Sequence, residues 1–304
     1  MKRPFALALA AMLNLGCANA FAAAPASMNM TVDPHWLESR LSDPSVVVLH
    51  IGRKEDFAAG HIPGARLITF KDIAVDSDGA TMQLPPPDEL KRKLGAIGIG
   101  NDSKVVVSFG KDWVSPATRV IFTMQAAGLG KQVALLDGGL EEWRRQGKPT
   151  TTSATAAAAA PASAGPELRM EPLVVDAGYV RKHAGTPGVV LVDARAPVYY
   201  EGVERSGHMA KLRKGHIPGA VNIPFSQVSG LDHKMRSPAQ LAELFRASGI
   251  KPGTRLIVYC HIGQQATAVI FAARAAGIDA VLYDGSFEDW TWNDGPVEAM
   301  AARK

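Results

Sequence analysis

The segment GHIPGA occupies residues 60–65, and the same six residues return at 215–220. Each copy follows a run of β-branched and apolar residues, VVVLHIGR ending at Arg53 and VVLVDARA with Arg195 near its end. A recurrence with matching upstream context indicates an internal repeat, and a repeat has to be recognised before any single motif is interpreted.

Two further pairs of segments follow the GHIPGA copies in the same order. The pattern AT-x-VIF-x-x-x-AAG begins at Ala117 and again at Ala266. LLDGGLEEW, which ends at Trp143, matches LYDGSFEDW, which ends at Trp290. Four matching blocks in one order predict a duplicated domain. The recurrence of both tryptophans at equivalent positions favours a packing role for them.

Between the repeats lies TTSATAAAAAPASAGP, which has no charge and no periodic apolar pattern. Its composition is typical of an Ala/Ser/Thr/Pro tether. We therefore predict an N-terminal domain over residues 30–150, a linker over 151–168 and a C-terminal domain over 169–304.

Each half alternates short apolar runs with helical stretches. VVVLHI, VVVSF and VALL predict strands in the first half, and VVLVD, LIVYC and AVLY predict strands in the second. Uninterrupted apolar strands are typical of parallel sheets that are buried on both faces. The alternation predicts an α/β fold in which each domain is a mainly parallel sheet flanked by helices.

The first residues follow the pattern of a secretory signal peptide. Lys2 and Arg3 precede the apolar run FALALAAMLNLG at 5–16, and small residues follow it. This run is too short to span a bilayer as a permanent helix. We predict a signal peptide over residues 1–22, with cleavage after Ala20 or Ala22, and a periplasmic protein.

Cleavage would change both the charge and the cysteine count. A lipoprotein signal ending at Cys17 is the alternative, but Asn14 stands where such signals usually have leucine. Removing Lys2 and Arg3 lowers the formal net charge from +4 to +2, which does not favour nucleic acid or a membrane surface as a partner. Cys260 then remains as a lone cysteine, without an internal disulfide.

Cys260 lies in LIVYCHIGQQAT, residues 256–267, at the end of a predicted strand. Ligand sites of parallel α/β sheets lie at the carboxyl ends of the strands. We expect a loop over Cys260–Gln265 and a helix from about Ala266 that stops near Gly277. The backbone N–H groups of such a loop form an anion cradle, and with the helix dipole they are expected to lower the pKa of the thiol. The predicted cradle residues are His261, Ile262, Gly263, Gln264 and Gln265.

Two other interpretations of Cys260 are open to the same residues. One is a buried, inert thiol, since free cysteines are often packed in cores. The other is a phosphatase, which also uses a thiolate in an anion cradle but needs an arginine six residues later to bind phosphate. Ala266 occupies that position, so the sequence does not favour a phosphatase.

The chain from about Met30 onward resembles the tandem-domain rhodaneses, the thiosulfate and 3-mercaptopyruvate sulfurtransferases. The resemblance rests on both GHIPGA blocks, VDAR at 192–195, the strand-end Cys260 with its six-residue loop and YDGS at 283–286. It implies that Cys260 takes sulfur from a donor as a persulfide and passes it to cyanide or a thiol. Phe109 stands where Cys260 would be in the first half, which implies a non-catalytic N-terminal domain.

The sequence departs from that family where positive charge is customary. Thiosulfate-type loops usually carry basic residues after the cysteine, and mercaptopyruvate-type loops typically read Cys-Gly-Ser-Gly, whereas this chain has His261 and Ile262. The family often has a donor-binding arginine where this chain has Tyr199. Arg195 could hold the donor or form a structural ion pair. His261 could supply charge below neutral pH or be a solvated loop residue.

A basic insertion, EGVERSGHMAKLRK at 201–214, has no counterpart in the first half. We name Arg205 within it as a candidate donor-binding residue, with a solvated surface loop as the alternative. The eight histidines lack metal-ligand spacing, and His61 and His216 belong to the repeated turn, which favours a structural role. We therefore predict no metal or cofactor. We predict a monomer because the duplication provides both sides of the cleft within one chain.

The predicted activity is transfer of sulfur from thiosulfate to cyanide or a thiol. Thiosulfate is the preferred donor because the loop lacks Cys-Gly-Ser-Gly and the predicted compartment is the periplasm. The alternatives are 3-mercaptopyruvate as donor, or a persulfide carrier that does not turn over by itself.

Overall fold

The computed structural model describes residues 28–77, 79–110, 114–153, 164–205 and 213–299. The strands are β1 Thr31–Val32, β2 Val46–Ile51, β3 Arg66–Ile68, β4 Val75–Ser77, β5 Ala80–Gln83, β6 Lys104–Phe109, β7 Val133–Leu136, β8 Val174–Val175, β9 Val189–Asp193, β10 Val221–Asn222, β11 Arg255–Tyr259 and β12 Ala280–Tyr283. The helices are α1 Pro34–Glu38, α2 Lys54–Ala59, α3 Pro87–Ala96, α4 Ser115–Ala126, α5 Gly139–Arg145, α6 Ala177–His183, α7 Pro197–Tyr200, α8 Pro238–Ala247, α9 Gln264–Ala275 and α10 Ser286–Trp292.

These strands form two parallel five-stranded sheets, in the orders β1-β7-β6-β2-β3 and β10-β9-β11-β12-β8. All six predicted strands are present. The strands that the sequence did not predict are the two- and three-residue edge strands β1, β3, β8 and β10, and the antiparallel ribbon β4–β5. The central strands, β6 and β11, are the two that end at Phe109 and just before Cys260.

Alternate residues of β11 face opposite sides of its sheet. Leu256, Val258 and Cys260 join the core cluster that contains α9, whereas Ile257 and Tyr259 join the cluster on the other face. This period-two alternation, with both faces apolar, is what a buried parallel strand requires. It directs the Cys260 side chain toward the helix that follows it.

The two GHIPGA turns have the same construction. His61 exchanges backbone hydrogen bonds with Thr151, and His216 does so with Glu298. The His61 ring stacks on Phe57 at 3.7 Å and the His216 ring on Tyr200 at 3.8 Å between centroids. The predicted structural role of both histidines is confirmed.

The first glycine of the second GHIPGA turn and the repeated tryptophans also have structural explanations. Gly215 has φ +108°, and a Cβ on it would lie 2.0 Å from the Glu298 carbonyl oxygen. Trp143 and Trp290 are buried, and their Nε1 groups donate to the carbonyls of Pro149 at 2.8 Å and Pro296 at 2.7 Å. The predicted packing role of the tryptophans is confirmed.

Helices α4 and α9, which occupy equivalent places in the two repeats, pack against each other at the domain interface. Thr118 Oγ1 lies 3.0 Å from Thr267 Oγ1, Gln264 Nε2 donates to Ser115 Oγ at 3.2 Å, and Arg274 donates to Gln125. Each pair joins positions 149 residues apart, which are equivalent in the repeat. The helices therefore run side by side, and their first residues, Ser115 and Gln264, lie at the same end of the interface.

The chain that joins the domains follows the surface of the first one. Arg169 and Glu171 donate backbone hydrogen bonds to Ala127 and Ala126. The predicted signal peptide, and residues 154–163 of the predicted linker, lie outside the described residues. Within the described part of the chain, no helix is long and apolar enough to cross a membrane.

Candidate active site

Cys260 follows the last residue of the central strand β11, and its free thiol is fully buried. Three residues later Gly263, with φ +84°, forms the N-cap of α9. The helix thus begins at Gln264, two residues earlier than the sequence predicted. This shortens the loop and brings the first turn of α9 against the sulfur.

Backbone N–H groups converge on the Cys260 sulfur from this turn. Those of Ile262, Gly263, Gln265 and Ala266 hydrogen-bond it. The left-handed backbone of Gly263 makes the convergence possible, because it reverses the chain between strand and helix without a Cβ. The arrangement is a nest of donors that can hold a sulfur anion.

The direction of the pKa shift at Cys260 differs from the one expected from the sequence. Burial raises the pKa of the thiol, and the four backbone donors lower it by less, so the pKa is raised overall. The expected net lowering is therefore wrong for the free protein. The donors remain available to stabilise charge as it develops on sulfur, when preorganised dipoles in a dry site have their largest effect.

A second set of contacts holds the Cys260 backbone from the other side. The N–H of Cys260 donates to Ser286 Oγ at 3.2 Å, and that hydroxyl donates to the Tyr283 carbonyl at 2.9 Å. The N–H groups of Phe287 and Glu288 donate to the carbonyls of Cys260 at 3.1 Å and His261 at 3.0 Å. The start of α10 therefore fixes the backbone of the loop that begins at Cys260.

Ser286 adopts a left-handed backbone with φ +55°, while its counterpart in the first repeat is Gly139 with φ +57°. A serine in this region is strained, and a glycine is not. The strained serine is present only in the domain with the cysteine, and its hydroxyl contacts the Cys260 backbone there. The YDGS motif was noted in the sequence, but this contact was not predicted; the difference between DGG and DGS was the available signal.

His261 and Tyr199 meet at the loop, with ring centroids 4.9 Å apart in an edge-on arrangement. Burial, with a smaller effect from the Arg195 charge, lowers the pKa of His261 to about 3. The imidazole is therefore neutral at and well below neutral pH, and the expectation that it supplies charge there is wrong. Its buried Nδ1 has no hydrogen-bond partner.

Arg195 forms the structural ion pair that was one of its two predicted roles. Its Nε lies 2.9 and 3.0 Å from the Asp193 carboxylate oxygens, and its Nη2 donates to Asp193 and to the Gly215 carbonyl at 2.7 Å. Burial lowers the pKa of Arg195, but the charge and hydrogen bonds of Asp193, with smaller effects from Tyr259 and Cys260, together raise it by more. The guanidinium also lies 4.0 Å from the Phe287 ring centroid. These contacts tie the GHIPGA turn to the end of β9.

The basic insertion is described only in part. Arg205 is exposed, and residues 206–212 lie outside the described residues. Arg213 donates to the Gly295 carbonyl at 2.8 Å, and Lys214 donates to the Val203 carbonyl at 2.8 Å. Nothing in these contacts brings Arg205 to the thiol, so its donor-binding role stays a prediction.

The equivalent position in the first domain is filled by Phe109, which is buried and faces the His233 ring edge-on at 6.4 Å. Eight positions separate Phe109 from Ala117, against six from Cys260 to Ala266, so the two loops also differ in length. Among the described residues, no group of three or more histidine, cysteine or acidic side chains could hold a metal ion.

The rhodanese-like domain family matches residues 33–146 and 176–292, which together cover most of the chain. The chain belongs to the rhodanese family. The two matched segments correspond to the two repeats of the sequence.

Curated relatives span almost the whole chain. A protein of Azotobacter vinelandii named thiosulfate sulfurtransferase is 28% identical over 90% of this chain and 98% of its own length. A probable 3-mercaptopyruvate sulfurtransferase of Pseudomonas aeruginosa is 33% identical over 84% of this chain and 92% of its own length. Among solved structures, an anaerobic ergothioneine biosynthesis enzyme from Chlorobium limicola has a TM-score of 0.78 at 22% identity, covering 90% of this chain and 70% of that one. The last likeness concerns the fold alone.

Replacing Gly263 by alanine tests the geometry of the cradle. A Cβ there would lie 2.9 Å from Arg119 Nη1 and from two oxygens of Asp284, and φ is +84°. We expect Gly263→Ala to displace the donors and slow sulfur transfer by roughly a hundredfold, because small misplacements at a reacting centre have effects of that order.

Gly277→Ala is the matched control at the other end of α9. Gly277 has φ +76°, but nothing lies within 4 Å of its added Cβ. We expect a loss of about 1 kcal/mol of stability from backbone strain, with sulfur transfer unchanged. Equal rates for the two variants, measured with thiosulfate and cyanide alongside thermal unfolding, would refute the cradle geometry.

Proposed function

We propose that this protein is a sulfurtransferase that moves sulfane sulfur from thiosulfate to cyanide or a thiol through a persulfide on Cys260. The observation that carries the proposal is the convergence of four backbone N–H groups on the Cys260 sulfur at the start of α9. A buried thiol that was only part of the core would not need such donors.

In the proposed reaction the Cys260 thiol loses its proton and its sulfur attacks the outer sulfur of thiosulfate. The sulfur–sulfur bond of the donor breaks, and sulfite leaves with its electron pair. The resulting persulfide carries the terminal charge, which the N–H groups of the loop stabilise. Cyanide then attacks the outer persulfide sulfur, thiocyanate leaves, and the thiolate is regenerated. The reaction is thus divided into two easier transfers.

Two observations support thiosulfate as the donor. A relative that matches over 90% of the chain bears the name thiosulfate sulfurtransferase. The loop also lacks the Cys-Gly-Ser-Gly sequence of mercaptopyruvate-type enzymes.

The lack of unpaired positive charge around the thiol favours 3-mercaptopyruvate as the second candidate. The loop residues 261–265 contain no lysine or arginine, His261 is neutral, and Arg195 is held by Asp193. Neutral surroundings disfavour the binding of doubly charged thiosulfate more than that of a singly charged donor, because more charge has to leave water.

A comparison of kcat/KM for the two donors, with cyanide as acceptor, tests the assignment. We expect the value for thiosulfate to exceed that for 3-mercaptopyruvate by tenfold or more. A preference in the other direction would overturn the choice of donor and leave the persulfide mechanism standing. Loading of Cys260 without repeated turnover would instead identify a persulfide carrier.

We also propose that the protein is exported to the periplasm and acts there as a monomer. The basic, apolar and small-residue segments at 1–22 support export. The duplication supports a monomer, because it supplies both domains that border the loop within one chain.

A further inference from the structure

The repeated motif AT-x-VIF differs between its copies at one internal position, which is Arg119 in α4 and Ala268 in α9. Arg119 belongs to the N-terminal domain and is completely buried. Because α4 packs on α9, its side chain enters the C-terminal domain. A buried arginine that crosses between domains needs an explanation, since guanidinium groups are rarely desolvated unless they are paired.

The Arg119 guanidinium joins three separate segments. Its Nη1 donates to Asp284 Oδ1 at 2.6 Å and, at 3.4 Å, to the carbonyl of Gly263 in the Cys260 loop. Its Nη2 donates to the Met82 carbonyl in the ribbon β4–β5. Arg119, which belongs to the domain without the cysteine, thus contacts Gly263, the glycine whose left-handed backbone forms the cradle.

Asp284 extends this connection to the other side of the thiol. Its Oδ2 accepts from the Leu84 N–H at 2.7 Å, and its carbonyl accepts from Gln83 Nε2 at 3.3 Å. Two residues later, Ser286 accepts the N–H of Cys260. Both supports of the cysteine, the Gly263 turn and the Ser286 hydroxyl, therefore lie next to the Arg119–Asp284 pair.

The first domain has the equivalent aspartate but no arginine equivalent to Arg119. Asp137, the counterpart of Asp284, accepts the Met235 N–H at 2.9 Å. Ala268, the counterpart of Arg119, has no polar atom in its side chain. The arginine is therefore present only where its target loop belongs to the domain with the cysteine, whereas the positive charge that acts on Asp137 is that of Lys234.

We propose that Arg119 is a positioning residue of the N-terminal domain that holds the Cys260 loop in its donor-converging form. Without the guanidinium, Asp284 becomes an uncompensated buried charge, and the carbonyls of Gly263 and Met82 lose a donor. The Gly263 turn then relaxes, and its N–H groups no longer point at the sulfur. The N-terminal domain accordingly contributes to the reactivity of a thiol that it does not contain.

The test compares Arg119→Met and Arg119→Lys with Arg274→Met as the matched control. Arg274 lies on the same helix pair and also bonds across the interface, to Gln125, but near the far end of α9. The first readout is the pH dependence of Cys260 alkylation by iodoacetamide in the folded protein. The charged and titratable groups around the loop, namely Arg195 with Asp193, Tyr259, His261 and Asp284, are the same in all three variants.

For Arg119→Met we expect the alkylation midpoint to rise by about one pH unit, because the thiolate loses hydrogen bonds. We also expect kcat for sulfur transfer to fall at least tenfold while KM for thiosulfate stays within twofold. Arg119→Lys should recover part of both changes, since lysine keeps the charge but not the planar fork. Arg274→Met should lower thermal stability without moving the midpoint.

An Arg119→Met protein that is folded and keeps both the wild-type midpoint and kcat within twofold would overturn the proposal. An equal midpoint shift in Arg274→Met would overturn it too. Should Arg119→Met not fold, the double variant Arg119→Met with Asp284→Asn removes both charges, and the same shift is expected in it. This proposal rests on the proposed function in taking Cys260 as the nucleophile. Alkylation of the thiol needs no sulfur donor, so the alkylation result can contradict the role of Arg119 without contradicting sulfur transfer, and the reverse.

Discussion

Replacing Cys260 by serine is expected to lower turnover with thiosulfate and cyanide by about a thousandfold or more, because removal of a covalent nucleophile has effects of at least this size. A hydroxyl cannot accept sulfane sulfur as a stable persulfide. Serine is close to cysteine in size, and the N–H donors around the position can bond its oxygen, so the fold is expected to be retained. The measurement pairs the thiocyanate assay with thermal unfolding.

A second thiol provides the control for this experiment. Phe109→Cys in the Cys260→Ser background places a cysteine at the end of β6, the equivalent central strand, before a loop that is two residues longer. We expect no recovery, because a thiol without the short Gly263 turn lacks the convergent donors. A Cys260→Ser protein that retains a tenth of the wild-type rate, or full recovery by Phe109→Cys, would contradict the assignment.

Asp193→Asn is expected to lower the free energy of unfolding by about 3–5 kcal/mol, which is the usual cost of leaving one partner of a buried ion pair uncompensated. Asp193 and Arg195 are both almost fully buried, at 0% and 2% of their accessible surface. The variant keeps the shape of the side chain and removes only its charge. Urea unfolding with and without the substitution gives the difference.

The pair Arg246–Glu243 on α8 is the matched control, because its side chains are 72% and 60% exposed. Glu243→Gln is expected to change the free energy of unfolding by less than about 0.5 kcal/mol, as exposed pairs contribute little. Similar losses in the two variants would mean that Asp193 is not needed to compensate Arg195. Arg195 would then be available for the donor-binding role.

The longer strands were predictable because each is an uninterrupted β-branched or aliphatic run long enough to be buried on both faces. The edge strands β1, β3, β8 and β10 were not, because two or three paired residues leave no period in a sequence. The ribbon β4–β5 was missed for a similar reason. The start of α9 was placed two residues late because Gly263 was interpreted as part of the loop rather than as an N-cap.

At the site, the sequence predicted Cys260 and the N–H donors of Ile262, Gly263 and Gln265, but neither the donor of Ala266 nor the direction of the thiol pKa. That direction depends on how deeply the sulfur is buried, and burial is a property of the packed domains rather than of the loop. Ser286 and Arg119 were missed because they act on the loop from 26 and 144 residues away. The two repeats differ at these positions in the sequence, but the role of each residue follows only from its contacts in the structure.

The most direct test is the mass of the protein after incubation with thiosulfate and removal of the excess donor. We predict a gain of about 32 Da, the mass of one sulfur atom, on the peptide that contains Cys260. Cyanide should remove it, and Cys260→Ser should never acquire it. A wild-type protein that gains no sulfur from either thiosulfate or 3-mercaptopyruvate would contradict the proposal that Cys260 is a sulfur-transferring nucleophile.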